Sequence, residues 1–214
     1  PPLGDTSGRH VAIIGSGSGA FAAAIRAAER EARVTLIEEA EGIGGTCVNV
    51  GCVPSKIALR AADTAHQAAH HPFAGVPHAQ GSVDRAALLR QIQHRVTELR
   101  QAKYEGILAD NPAISRIQGR ARLTDAGAVE VATADGRQCL EPDRILIATG
   151  AAPAAPPIPG LAETPWWSSD EALFTDTTPD HLAVIGASFV AVEIAQAFRR
   201  LGSAVTILAR SRLL

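Results

Sequence analysis

Residues Val11–Ala20 read Val-Ala-Ile-Ile-Gly-Ser-Gly-Ser-Gly-Ala. This short apolar run leads into a G-x-G-x-x-A turn, and the Ala-rich segment Phe21–Ala32 that follows is typical of a helix. In such a turn Gly15 makes the tight bend, Gly17 lets a pyrophosphate approach the backbone, and Ala20 permits close packing of helix on strand. The pattern predicts a dinucleotide-binding βαβ unit.

An acidic residue ends the second strand of this unit. Val34–Ile37 is an apolar strand, and Glu38 follows it, 23 residues after Gly15. A carboxylate at this position can accept hydrogen bonds from a ribose diol. An ordinary Gly-rich βα turn remains the alternative, but strand, turn, helix, strand and terminal acid in that order favour the nucleotide site.

Two cysteines follow the βαβ unit. Residues 44–56 read Gly-Gly-Thr-Cys-Val-Asn-Val-Gly-Cys-Val-Pro-Ser-Lys, with the thiols at Cys47 and Cys52. Such a pair could be a structural disulfide, half of a metal site or two unrelated thiols, but a nearby dinucleotide favours a flavin-linked dithiol. Structural zinc needs four ligands, and the chain has no second cysteine pair. We expect one helix from Cys47 to about His70, with both cysteines in its first turns.

The βαβ pattern occurs again near the C-terminal end. Leu182–Ala191 joins a strand to a helix that continues to Leu201, and Val205–Leu208 is the next strand. Ala209 stands where the first unit has its acid, and Arg210 and Arg212 are close by. Guanidinium groups in place of a carboxylate suit a 2′-phosphate, so this unit predicts NADPH over NADH. Solvated surface arginines are the alternative.

Together these motifs resemble the pyridine nucleotide-disulfide oxidoreductases from Val11 to the last residue. The resemblance implies an α/β fold with two Rossmann-like units, one for FAD and then the start of one for NADPH, with the chain ending before the second is complete. Four stretches also look like the mercuric reductase branch: Ala61–Asp63, His71–Val76, Leu99–Leu108 and Asn111–Ile114. The rest of the NADPH domain, the returning flavin segment and a C-terminal domain that forms a homodimer are then expected to be absent.

The family pattern also assigns roles to residues. It places Cys52 against the flavin as the charge-transfer thiolate, favoured by a helix N-terminus and by Lys56, and it makes Cys47 the interchange thiol. Lys56 is paired with Glu193 near the flavin. Hg(II), arriving as a thiol adduct, would be the metal held by Cys47 and Cys52, with reduction to Hg(0) by electrons from NADPH through FAD. The implied FAD contacts are Gly15, Gly17, Ala20, Glu38, Gly45, Thr46, Lys56, Ala121, Thr149 and Gly150, and the implied NADPH contacts are Gly186, Ser188 and Arg210.

The rest of the chain is expected to be scaffold. Residues 1–10 are interpreted as a linker or ragged start, residues 11–150 as the FAD domain with the cysteine pair, and residues 151–214 as the crossing and the first part of the NADPH domain. Ser82 is a candidate N-cap for a second long helix with an apolar stripe. We expect short strands at Ile114–Ile117, Arg120–Leu123, Val129–Thr133, around Cys139 and at Arg144–Ala148.

Composition limits the class of protein. Hydrophobic residues make up 46% of the chain and the net charge is −2, so no basic excess indicates a nucleic acid partner. The sequence has no apolar run near 18 residues and no signal peptide, which predicts a cytoplasmic protein without membrane contact. We expect Cys139 to be a buried, inert thiol, and His66, His70 and His71 to be surface histidines and not metal ligands.

Three alternatives stay open, and one of them is that this fragment alone is inert because its partner segments are missing. The other two are different functions. Another disulfide reductase of the family, such as a dihydrolipoamide dehydrogenase, would use the same residues on an organic disulfide. A non-catalytic flavin-binding or metal-buffering protein belongs to a different class, and NADPH oxidation under turnover would separate it from an enzyme.

Overall fold

The computed structural model describes residues 7–79 and 81–210. Two compact units divide the chain: the first comprises Pro1–Asn49 and Thr97–Ala151, and the second comprises Val50–Val96 and Ala152–Leu214. The expected FAD domain, residues 11–150, therefore contributes Val50–Val96 to the second compact unit.

Nine strands and seven α-helices lie in the described residues. The strands are β1 (His10–Ile14), β2 (Arg33–Glu38), β3 (Ile114–Gln118), β4 (Arg120–Leu123), β5 (Val129–Thr133), β6 (Gly136–Leu140), β7 (Arg144–Ile147), β8 (His181–Ile185) and β9 (Ala204–Leu208). The helices are α1 (Ser18–Ala28), α2 (Gly45–Asn49), α3 (Cys52–His70), α4 (Arg85–Arg100), α5 (Gly106–Asp110), α6 (Ser169–Phe174) and α7 (Phe189–Arg200), with a π-helical turn at Gln101–Glu105.

A parallel four-stranded sheet forms the centre of the first unit. Its strand order is β3-β2-β1-β7, so the chain moves outward from β1 to β3 and then returns to the other side of β1. The β-branched and leucine side chains of these strands pack with Phe21 of α1 in a core that includes Ile13, Val34 and Leu36. In an α/β sheet the ligand lies where the strand order reverses, at the carboxyl ends of the strands. Here that position is the end of β1 and β7.

A smaller antiparallel sheet, β4-β5-β6, completes the first unit. The sequence predicted Arg120–Leu123 and Val129–Thr133 with the bounds that the structure has. Cys139 lies on β6 as expected, but its side chain is exposed, so the prediction of a buried thiol is wrong. Among the described residues β6 pairs with β5 at the edge of the sheet, and its residues from Gly136 to Cys139 are all exposed.

The second unit is a parallel β8-β9 pair with helices packed on it. Its core is formed by α3, α4, α6 and α7, and includes Ala58, Ile92, Leu173, Ile194 and Phe198. The sequence expectation of strand, helix and strand in this region is confirmed. No helix in residues 7–79 and 81–210 is both long and apolar enough to cross a membrane.

Three expected boundaries differ from the structure. Helix α1 begins at Ser18, so the helix starts earlier than the predicted Phe21 and ends at Ala28. The predicted single helix from Cys47 to His70 is two helices in the structure, because the helical conformation is interrupted at Val50 and Gly51. The long helix α4 begins at Arg85, and its cap is not Ser82.

The cap of α4 is an acidic residue. Asp84 Oδ1 accepts a hydrogen bond from Ala87 N–H at 2.9 Å, and the Asp84 carbonyl accepts from Leu88 N–H at 3.1 Å. A carboxylate that binds the N–H at the third helical position is a preferred N-cap and also suits the positive end of the helix dipole.

Candidate functional site

The first glycine turn connects β1 to α1 and lies beside the end of β7. Gly15 has φ +113°, and its N–H donates to the Ile37 carbonyl at 2.7 Å. A Cβ at Gly15 would stand 2.2 Å from the Ala148 carbonyl oxygen, so only glycine fits. The N-cap of α1 is Gly17, which has no side chain to satisfy the first N–H groups of the helix. These donors are available to an anion such as a pyrophosphate.

Glu38 is the last residue of β2, and its carboxylate is held in place. Oε2 accepts from the Ser16 hydroxyl at 2.7 Å, and Oε1 accepts from Ala40 N–H at 2.9 Å. A carboxylate has about four acceptor positions, so it can still accept from a ribose. Ser16 was not among the predicted site residues, although a small hydroxyl residue between the two glycines is visible in the sequence.

The turn ahead of α2 is in close contact with the first glycine turn. Gly44 N–H donates to the Ser16 carbonyl at 2.9 Å. Gly45 has φ +66°, and a Cβ there would lie 2.5 Å from the Cα of Gly17. The backbone ahead of Cys47 therefore lies against Gly17, and the exposed Thr46 follows it.

Each of the two cysteines belongs to a different helix. Cys47 lies in α2 and is half-buried, whereas Cys52 is the first residue of α3 and is exposed. The Ser55 hydroxyl donates to the Cys52 carbonyl at 3.2 Å, and Ser55 N–H donates to the Gly51 carbonyl at 3.0 Å. Cys52 is thus at the N-terminus of α3, with Gly51 as the N-cap.

Lys56 and Glu193 form the expected ion pair. Lys56 lies one turn into α3, Glu193 lies on α7, and the Nζ–Oε1 distance is 2.5 Å. The side chains are 62% and 36% exposed, so the pair contributes little to stability and stays accessible to a ligand.

The second glycine turn repeats the geometry of the first. Gly186 N–H donates to the Leu208 carbonyl at 2.9 Å, which is the counterpart of the bond from Gly15 to Ile37. This correspondence makes Ala209 the equivalent of Glu38. The Ser188 hydroxyl caps α7 by accepting from Ala191 N–H at 3.4 Å.

The remaining predicted contacts are spread over the two units. Arg210 is exposed directly after β9, and Arg212 lies outside the described residues. Thr149 and Gly150 are exposed after β7, at the reversal point of the first sheet, and Ala121 is half-buried on β4. Ala20 is buried on α1, against the strands as expected.

No group of three or more His, Cys, Asp or Glu side chains suited to a metal ion occurs within the described part of the chain. His66 and His70 are stacked at 4.3 Å, and the His70 Nδ1 atom lies 2.9 Å from the His66 carbonyl oxygen.

Comparison with known proteins identifies the family. The profile described as pyridine nucleotide-disulphide oxidoreductase matches residues 9–214. The chain belongs to this family. Membership implies use of a flavin and a pyridine nucleotide, and the two glycine turns fit such ligands because each leaves backbone N–H groups at the start of a helix.

The curated relatives of this pyridine nucleotide-disulphide oxidoreductase include mercuric reductases. The chain is 58% identical over 207 residues to one from Shewanella putrefaciens and 57% identical over 212 residues to one from Shigella flexneri. These alignments cover 96% and 98% of this chain but only 37% of each relative. A mercuric reductase from Bacillus cereus is 43% identical over 93% of this chain and 31% of its own length.

Solved structures of the family agree with the fold. The HOCl-induced flavoprotein disulfide reductase RclA from Escherichia coli has a TM-score of 0.77 at 30% identity, over 92% of this chain and 41% of that one. Its Cu(II) complex has a TM-score of 0.79 at 31% identity, over 95% and 42% of the two chains.

Proposed function

We propose that the full-length protein is a mercuric reductase, an NADPH-dependent flavoprotein that reduces Hg(II) to Hg(0) in mercury resistance. The observation that carries this proposal is the 57–58% identity to mercuric reductases over nearly the whole chain. The chain spans 37% of the first two relatives, so the activity is proposed for the complete protein.

FAD is assigned to the first glycine turn. The N–H groups at the start of α1 would bind the pyrophosphate, and Glu38 would accept from the ribose hydroxyls. Gly45 and Thr46 continue this surface, because the Gly45 backbone lies against Gly17. We keep Lys56, Ala121, Thr149 and Gly150 as further FAD contacts, within an FAD domain of residues 11–150.

NADPH is assigned to the second turn, in residues 151–214. Gly186 and Ser188 lie at the start of α7, where the N–H groups can bind a pyrophosphate. Arg210 would bind the 2′-phosphate, supported by the absence of an acid at Ala209.

We assign Cys47 and Cys52 as the residues that bind the substrate Hg(II). Thiolates are soft ligands and favour soft metal ions, so two of them can take Hg(II) from its thiol adducts. The bound cofactors would supply the two electrons that convert Hg(II) to Hg(0), and both thiolates are released when the metal leaves. Cys52 is assigned as the thiolate next to the flavin and Cys47 as the thiol that exchanges with substrate. The Lys56–Glu193 pair keeps a cation within one turn of Cys52.

The test is mercury volatilisation by the full-length protein with NADPH. Cys47→Ser and Cys52→Ser should each abolish it, whereas Cys139→Ser is the matched control because that thiol lies exposed on β6, outside the assigned site. Cys47→Ser should also keep a long-wavelength charge-transfer band that Cys52→Ser loses. Full mercury reduction by either variant would remove the pair from the mechanism.

Another disulfide reductase is the competing assignment. Reduction of lipoamide or another organic disulfide faster than Hg(II) would favour it, and no NADPH oxidation with either substrate would favour a binding protein. We also expect a homodimer in the cytoplasm, where NADPH is available.

A further inference from the structure

Asn49 is the last residue of α2, two residues after Cys47. Its side-chain Nδ2 donates to the Ile43 carbonyl at 2.9 Å and to the Gly45 carbonyl at 3.0 Å. These two carbonyls lie on either side of Gly44, so a single amide group closes the glycine turn that leads into α2.

Arg100 fixes the direction of this amide. Its Nη1 donates to Asn49 Oδ1 at 3.4 Å, and its Nε lies 3.6 Å from Glu105 Oε1. Because a guanidinium can only donate, it selects the amide oxygen and leaves both N–H groups of Asn49 for the turn.

The glycine turn ahead of α2 lies against the first glycine turn. Gly44 N–H donates to the Ser16 carbonyl at 2.9 Å, and the Cβ position of Gly45 is 2.5 Å from the Gly17 Cα. The two backbones are therefore too close for a side chain to fit between them. Asn49 therefore holds the helix of Cys47 and the loop of Gly17 together.

We propose that Asn49, oriented by Arg100, is a positioning residue. It holds the glycine turn ahead of α2 against the first glycine turn, which is the proposed FAD site. The proposal rests on the proposed FAD site. Asn49 itself touches neither the cofactor nor the metal in this assignment. It acts through Gly45, whose backbone must stay against Gly17 for the pyrophosphate surface to keep its shape.

Asn49→Asp is the decisive variant, because the carboxylate has the same shape but cannot donate. We expect the dissociation constant for FAD of the full-length apoprotein to rise by about tenfold at neutral pH. The ratio of variant to wild-type constants should fall as the pH is lowered from about 7.5 to about 4, near the ordinary aspartate pKa of about 3.9, because the protonated carboxyl regains one donor. If the substitution only disturbed the fold, the loss of FAD affinity would not depend on whether the introduced carboxyl is ionised.

Asn111→Asp is the matched control. Asn111 lies in the same unit and accepts from Ala113 N–H at 3.2 Å through its Oδ1, which a carboxylate can also do. Its FAD dissociation constant should stay within about twofold of the wild type. An Asn49→Asp protein with wild-type FAD affinity at neutral pH overturns the proposal, and so does a ratio independent of pH.

Arg100→Met is the second variant, for the case in which Asn49→Asp does not fold. It keeps the Asn49 amide and removes only its orientation, so FAD affinity should fall by about threefold to fivefold. Unchanged affinity here contradicts the role of Arg100. A wild-type protein that binds no FAD would overturn both this inference and the proposed function, whereas tight FAD binding without mercury reduction would overturn the function alone.

Discussion

His10 is a buried residue of β1, with 6% of its surface exposed. Its Nε2 lies 2.8 Å from Thr35 Oγ1 on β2, and its backbone N–H donates to Asp143 Oδ2 at 2.7 Å. Burial lowers the pKa of the His10 imidazole from its ordinary value of 6.5, and the positive charge of Arg33 lowers it further. Burial and the Arg33 charge therefore favour the neutral imidazole in the folded protein, against the smaller opposing effect of the Asp143 carboxylate.

This shift predicts a loss of stability in mild acid. In the unfolded chain His10 takes up a proton near pH 6.5, but in the folded protein it does so only at lower pH. The free energy of unfolding should fall as the pH drops below 6.5, by at most about 1.4 kcal/mol per pH unit. Urea unfolding between about pH 5 and pH 7.5 measures this slope.

His10→Asn should flatten that dependence, since the asparagine does not titrate. His70→Asn is the control, because His70 is exposed at the end of α3. Equal slopes for the wild type and His10→Asn would show that another group causes the effect.

Arg210 is the residue that we propose selects NADPH over NADH at the second turn. It is exposed after β9, and Ala209 leaves no carboxylate to repel a phosphate. Arg210→Ala in the full-length enzyme should raise the Michaelis constant for NADPH, with a loss of roughly 1.5–3 kcal/mol of binding. The Michaelis constant for NADH should change little, and equal effects on both cofactors would contradict the assignment.

Sequence patterns predicted the residues whose type and position belong to a known motif. They did not predict the residues that are recognised only by their hydrogen-bond partners in the fold. Glu38 and Gly15 were predicted because a terminal acid and a tight turn have fixed positions in a βαβ unit. Ser16 and Asn49 were not, because their partners are a side chain on another strand and two backbone carbonyls, which become visible only when the turn is folded.

At the scale of elements, Gly51 explains why one expected helix is two. Alanine, leucine and lysine after Pro54 favour a helix, and periodicity alone gave no reason to stop it at Val50. In the structure Gly51 has φ −118° and ψ −103°, outside the helical region, and it becomes the N-cap of α3. A glycine reaches this conformation at little cost, so the break is local in origin and could have been read from the residue type.

Helices α3 and α7 are joined by two ion pairs of different character. Lys56–Glu193 is exposed, whereas Asp63–Arg200 has a 3.1 Å distance and side chains only 24% and 28% exposed. An exposed pair contributes about 0–1 kcal/mol, whereas removing one partner of a pair shielded from water costs more, because the other charge is left without its partner.

The two pairs should therefore respond differently to mutation. Asp63→Asn should lower the free energy of unfolding by about 1 kcal/mol or more and leave flavin reduction by NADPH unchanged. Lys56→Met should change the unfolding free energy by less than about 0.5 kcal/mol and slow the flavin reduction. Urea titrations and stopped-flow absorbance measure these two quantities, and a Lys56→Met protein that reduces its flavin at the wild-type rate would remove Lys56 from the chemistry.

At the scale of the whole molecule, the chain contains the same βαβ plan twice. The bond between His10 and Thr35 has a counterpart in His181 Nε2, which lies 2.9 Å from Thr206 Oγ1. The repeat was predicted from the glycine turns, but these histidine pairs were not, because each joins two strands 25 residues apart. The imidazole is buried in the first unit and exposed in the second, so the same His–Thr pair occurs both inside the protein and at its surface.

The second unit exposes a large apolar surface. Ile185 and Leu208 are 49% and 54% exposed on the β8-β9 pair, and Phe189 is 76% exposed at the start of α7. Exposed apolar patches bind hydrophobic dyes and mark interaction surfaces. The 214-residue chain should therefore enhance the emission of such a dye in its folded state.

The double substitution of Ile185→Thr and Leu208→Thr should reduce that emission, because it removes apolar area from one face of the strand pair. Ala183→Ser on the same strand is the control, since it changes little apolar area. Unchanged dye emission in the double variant would show that the dye binds elsewhere.

The contact between Gly45 and Gly17 has an evolutionary consequence, because it constrains the two residues unequally. A Cβ at Gly17 would lie 3.8 Å from the Gly45 Cα, an ordinary contact, whereas a Cβ at Gly45 would lie 2.5 Å from the Gly17 Cα. Under the proposed FAD assignment, selection on Gly17 comes from the ligand, whereas selection on Gly45 comes from the fold. In a descendant that had lost its cofactor, Gly17 could drift to alanine, while Gly45 would remain glycine for as long as the protein folded.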